Sequence, residues 1–214
     1  MYQGRFFMAI IRPEDGDSDE EPLAYVSKPV NNSGEVYVEF GFDDEWYTSP
    51  AFTAEPGDYE QLLVGVPYGL EVTYRVANDF GDGVVHFSDD ATITTDELPP
   101  GCPDAVKVSG DPALWDEATP YVFIGMHEPG YWAYEDWWTF VVDREGRVVW
   151  ARETEDSNVS VHPRISYDQD AFLIDINTFW GQFDGGAASE ILRVRIDGTI
   201  EHSWAVPGLH HPFT

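Results

Sequence analysis

Apolar side chains recur at every second position along much of this chain, and almost nowhere at the three-to-four spacing of an amphipathic helix. Glu35-Val36-Tyr37-Val38-Glu39-Phe40-Gly41-Phe42 is one such run and Val72-Thr73-Tyr74-Arg75-Val76-Ala77-Asn78 another. A period of two sends successive side chains to opposite faces of a strand, so these runs fold where one face is buried. Turn-forming clusters fall between them: Asn31-Asn32-Ser33-Gly34, Glu55-Pro56-Gly57-Asp58 and Asp79-Phe80-Gly81-Asp82-Gly83. Aromatic residues make up 15% of the chain, with 8 Trp, and they suit pleated, half-buried surfaces. The pattern predicts an all-β protein of short strands. With 214 residues, 43% of them hydrophobic, there is material for packed cores in one large or two ordinary domains.

The second half carries an internal repeat. Phe140-Val141-Val142-Asp143-Arg144-Glu145-Gly146-Arg147-Val148-Val149-Trp150 reads as a hairpin with a glycine in its turn. The same order of apolar strand, turn glycine, apolar strand and Trp returns at Leu192–Trp204. Gly146 and Gly198 lie 52 positions apart, Trp150 and Trp204 lie 54 apart, and His162-Pro163 recurs 49 positions on as His211-Pro212. Tyr121–Met126 and Ala171–Ile176 supply further strands to each copy. Hairpin repeats of about 40–50 residues indicate propeller blades. Residues 111–214 therefore predict about two blades of an incomplete β-propeller. A closed ring takes about 4–8 blades, so the expectation is a truncated protein or one piece of a split one.

Residues 1–97 predict a separate β-sandwich, joined by a Pro- and Gly-rich linker at 98–110. Val66-Pro67-Tyr68-Gly69-Leu70-Glu71-Val72-Thr73-Tyr74-Arg75-Val76 resembles the corner before the sixth strand of a fibronectin type III domain, with Tyr74 as the corner tyrosine. Phe87-Ser88 and Ala91–Asp96 resemble that family's last strand. The opening run Met1–Ile11 reads as a first strand and is too short for a signal peptide's apolar stretch. Either the protein is cytoplasmic or its true start lies upstream.

Trp204-Ala205-Val206-Pro207-Gly208-Leu209-His210-His211-Pro212-Phe213 resembles the Pro-Gly-x-His-His stretch of the arylsulfotransferase family. The Asp143–Trp150 and Ile191–Trp204 hairpins resemble that family's hairpin elements, and the order of sandwich then propeller agrees. Pro212 departs from the pattern, which usually has Asp there. The resemblance implies sulfuryl transfer from an aryl sulfate donor to a phenol acceptor through a sulfohistidine, without a nucleotide or other cofactor. It gives the His pair a sulfate-binding role, with His211 facing the channel and His210 packing or capping, and it assigns the attacking His to blades beyond this chain. The fragment is then expected to be inactive by itself. The resemblance also implies a periplasmic or extracellular location. The alternative is a secreted, non-catalytic sandwich-plus-propeller module that binds a ligand or protein, since propellers often serve as scaffolds.

The charge balance of 11 basic against 40 acidic residues gives −29, which repels phosphate backbones and argues against nucleic-acid binding. The acidity reads chiefly as solubility, and a salt-rich or calcium-rich setting is compatible with it. Nothing approaches a membrane span. Cys102 is the single cysteine and reads as a free structural thiol, without zinc-ligand spacing around it. Weaker candidates are the aromatic cluster Met126–Trp138, the neighbours His127 and Glu128, and the acidic run Asp15–Glu21; the last lacks the Gly and Glu of a calcium loop. Asp143 and Glu145 fall in a turn and do not make a paired-carboxylate site. His162 reads as structural.

Overall fold

The computed structural model describes residues 11–12, 24–30, 33–103, 111, 120–127, 137–154, 158–178, 185–209 and 211–213, with the backbone alone for 11–12, 24–30 and 127. Met1–Ile10, the acidic run Asp15–Glu21, His210 and most of the aromatic cluster lie outside these residues. Every element with described bounds is a β-strand, and the sheets are antiparallel and open. The chain divides into two compact units at Glu97/Leu98.

In the N-terminal unit, β1 (Ile11–Arg12), β6 (Gly57–Leu63) and β2 (Ala24–Val30) form one sheet in the order β1-β6-β2. The other sheet is built on β3 (Gly34–Phe42) and β7 (Glu71–Asp79), flanked by β4 (Glu45–Thr48) and β8 (Val85–Phe87) in the order β4-β3-β7-β8. β5 (Phe52–Ala54) also pairs with β3, and β9 (Ala91–Thr94) with β7. The alternation seen in the sequence decides the faces. Val36, Val38 and Phe40 of β3 and Val72 and Val76 of β7 turn inward, where they join Leu63 of β6 in one core. The Val66–Leu70 corner is stapled by the Thr95 hydroxyl, which accepts from Leu70 N at 2.8 Å and reaches Pro67 O at 2.8 Å. Gly69 takes φ +66 there, where a side chain would be strained. The expected last strand is two short strands on β7, separated where Ser88 N donates to Val76 O at 2.9 Å and the Ser88 hydroxyl accepts from Val76 N at 3.0 Å.

The C-terminal unit takes in Leu98 onward. The first part of the Pro- and Gly-rich stretch packs into it. Cys102 is buried, and burial pushes its thiol up to about 12, so it stays protonated and unreactive at neutral pH. Two sheets follow in strict chain order. One is β10 (Val122–His127), β11 (Trp137–Val142) and β12 (Val148–Thr154). The other is β13 (Arg164–Ile165), β14 (Ala171–Ile176), β15 (Glu190–Arg195) and β16 (Ile200–Ala205).

The two hairpins close alike. Asp143 N donates to Arg147 O at 3.0 Å and Gly146 N to Asp143 O at 3.1 Å; Arg195 N donates to Thr199 O and Gly198 N to Arg195 O, both at 2.9 Å. Gly146 at φ 85 and Gly198 at φ 82 supply the left-handed residue that such a turn needs. Each hairpin then has a bulge, at Val141/Val142 and at Arg193/Val194. The shared bulge holds the spacing of 52 through both strands. Trp150 therefore corresponds to His202, and Trp204 to Arg152, a correction to the match of Trp with Trp that the sequence suggests.

That exchange changes the face. Phe123, Val141 and Trp150 lie directly opposite one another on the first sheet. Phe172 of the second sheet packs on them, its ring 4.5 Å from those of Phe123 and Trp150. The indole N–H of Trp150 donates to Ile196 O at 2.9 Å, and Arg152 reaches Gly198 O at 3.2 Å. Trp150→Phe should keep most of the packing and lose the hydrogen bond. We expect it to lower stability by about 1 kcal/mol, read as a shifted urea midpoint with unchanged slope. The corresponding row on the second sheet is Leu173, Arg193 and His202. Arg193 is held there by Glu201 at 2.8 Å, Asp168 at 3.2 Å and Asp170 at 2.5 Å. All six residues of β16 are exposed, whereas Val148, Val149 and Trp150 of β12 are buried.

Candidate functional site

The sequence points to the two His-Pro pairs, and both fall in segments that leave one sheet edge for another. Val159–Pro163 leads from β12 to β13 and runs beside β14, where Val159 and Asn177 exchange backbone hydrogen bonds at 3.4 and 2.8 Å. The next residues curl around one carboxylate. Asp175, 1% exposed, accepts from Ser160 Oγ at 3.1 Å, Val161 N at 3.2 Å and His162 N at 2.9 Å. Burial raises its pKa above the usual carboxylate range, and the three donors pull it partly back. The segment also presses on β10. A Cβ placed on Gly125 would stand 2.0 Å from Ser160 O. His162 is thereby fixed through its backbone, while its ring Nδ1 is buried without a hydrogen-bond partner among the described residues.

The second pair follows β16. Val206 N donates to Ser189 O at 2.8 Å and Gly208 N to Gly186 O at 2.7 Å, so Pro207-Gly208 turns across the end of the sheet. The contact needs glycine at 186, since a Cβ there would lie 2.9 Å from the Gly208 Cα, whereas at 208 it is the φ of 83 that favours glycine. Leu209 is buried and anchors the crossing. His210 lies outside the described residues, and His211 is exposed. Two residues on, the Phe213 ring lies 5.8 Å from the Arg164 guanidinium carbon. The crossing thus starts at β16, one edge of the sheet, and arrives at β13, the other edge.

Arg164 was not a candidate in the sequence, although the repeat could have singled it out: His162-Pro163-Arg164 matches His211-Pro212-Phe213 in spacing. The edge strand therefore presents a guanidinium close to the segment that carries an imidazole. Such a pair can donate hydrogen bonds to an anion.

The other candidates resolve as follows. Asp143 accepts from Arg147 N at 2.9 Å and Arg147 Nε at 2.7 Å, which makes it a lock on its turn. The backbone of His127 pairs with Trp137, and Glu128 lies outside the described residues. Trp138 is buried and Met126 is exposed. Among the described residues, no three His, Cys, Asp or Glu side chains gather as metal ligands, and no helix is long and apolar enough to cross a membrane. Comparison with protein-family models, with curated proteins and with solved structures found no match.

Proposed function

We propose that the chain is the N-terminal part of an arylsulfotransferase-like enzyme. Its C-terminal unit contributes blades to a propeller and part of the pocket that holds an aryl sulfate. One observation carries the reading: the Pro-Gly-x-His-His crossing arrives beside Arg164 on the edge strand β13. A sulfate ester is anionic, and its transfer develops charge that cationic donors on a rigid edge stabilise. His211 and Arg164 would bind sulfate oxygens. The attacking imidazole would come from later blades, and the phenol acceptor would meet the bound sulfuryl group there.

Binding of 4-nitrophenyl sulfate to the chain, followed by NMR titration, tests the proposal. His211→Ala and Arg164→Ala should each weaken binding about tenfold, the loss of one charge-assisted hydrogen bond. Equal affinity for 4-nitrophenol, or no change in either variant, would rule the sulfate site out.

The non-catalytic binding module remains a second reading. What favours it is the Leu173, Arg193, His202 row, where the preceding sheet has Phe123, Val141 and Trp150. A guanidinium ringed by carboxylates suits a water-facing surface better than a buried join to another blade.

A further inference from the structure

We propose that the outer face of the β4-β3-β7-β8 sheet in the N-terminal unit binds a neutral polysaccharide. Core side chains take one face of this sheet, and register places Trp46, Tyr37, Glu39, Arg75 and Phe87 on the other. Trp46 and Phe87 are 53% and 47% exposed, a large fraction for rings that could have packed. Both are held in place. A Cβ on Gly41 would come 3.0 Å from Trp46 Cδ2 and Cε2, so the indole lies close against the strand only because position 41 is glycine. The Arg75 guanidinium sits 5.2 Å from the Trp46 ring centroid and 4.4 Å from that of Phe87, and it is fixed in turn by Glu39 at 2.7 Å.

The chemistry of this row selects its ligand. Two pinned rings separated by a guanidinium–carboxylate pair offer apolar surface and hydrogen-bonding groups in alternation. A pyranose chain has the matching pattern, with C–H faces that lie on aromatic rings and hydroxyl rims that meet Arg, Glu and the flanking Thr48 and Thr73. The core of a protein–protein interface is depleted in charged residues, and this row has an ion pair at its centre. The ligand is a neutral polymer because a long sulfated or uronate chain would meet the net charge of −29 over many residues, unlike one small ester held by local cationic donors. Since the groups are already ordered by one another, little side-chain freedom is lost on binding.

Native electrophoresis of the full chain through gels containing hydroxyethylcellulose, xyloglucan, galactomannan or dextran, with a chondroitin sulfate gel as the charged comparison, tests this surface. At least one of the four should retard the protein. Trp46→Ala and Phe87→Ala should each restore the mobility seen without polysaccharide, with the thermal midpoint unchanged. His211→Ala should remain retarded, which separates this surface from the sulfate site. Unchanged mobility in all four gels, retardation by chondroitin sulfate alone, or retardation that survives both aromatic substitutions would overturn the proposal.

Discussion

Gly125→Ala is expected to lower the stability of the C-terminal unit by about 3 kcal/mol or more, at the upper end of overpacking effects. The new methyl would lie 2.0 Å from Ser160 O, far inside contact distance. The obstruction is a backbone atom, so no rotamer change relieves it. Ser160 cannot retreat easily either, because its hydroxyl and the next two amides are tied to Asp175. Either β10 separates from the connector or the connector leaves Asp175, and both expose polar groups. Tryptophan fluorescence during urea unfolding would report the loss. Gly57→Ala is the control: its nearest neighbour would be Tyr59 Cε2 at 3.6 Å, an ordinary contact, and the change should be within about 1 kcal/mol.

Asp175→Ala should be the other severe lesion, lowering stability by about 3 kcal/mol. It leaves one hydroxyl and two amides without their acceptor in a site that is 1% exposed. Asp175→Asn keeps the shape and one acceptor oxygen, and should lose less. The carboxyl also gives a pH signature. Its folded pKa is raised, first by burial, so the folded state holds the proton more tightly than the unfolded chain does. Its contribution to stability is then full below the unfolded value of about 3.9 and declines as pH rises through the folded value. Asp168 and Glu201 are shifted downward and act in the opposite sense, which makes the comparison with Asp175→Asn the clean measurement. The advantage of the wild-type protein over that variant should be largest in acid and shrink toward neutrality. A constant difference across the series would show that Asp175 does not titrate with folding.

Strands were the most legible part of the sequence, because alternation is a local signal that tertiary packing reinforces. The run Glu35–Phe42 became β3 with one residue added, and Ala171–Ile176 became β14 with the same bounds. The turn glycines at 146 and 198 were equally readable, since few other residues tolerate their φ. Correspondence between the copies was less so. Trp204 looks like the partner of Trp150, but the register, bulge included, keeps the copies 52 apart, and the Trp of the second copy stands two positions further along its strand, on the same face. The site was least legible. Asp175 reads in the sequence as one polar residue in an apolar strand, and its role depends on three donors more than twelve residues away. Arg164 gains meaning only once the crossing segment returns to its strand.

The divided margin of the N-terminal unit has a consequence for how the protein behaves when concentrated. β8 and β9 both lie along β7, and neither exceeds four residues. Between them Ser88 spends its N–H and hydroxyl on Val76, and the exposed acids Asp89 and Asp90 follow. An incoming strand that tried to extend this sheet would find no continuous row of unused donors and acceptors to zip along. Interruption and negative charge together guard the border against fibril-like growth.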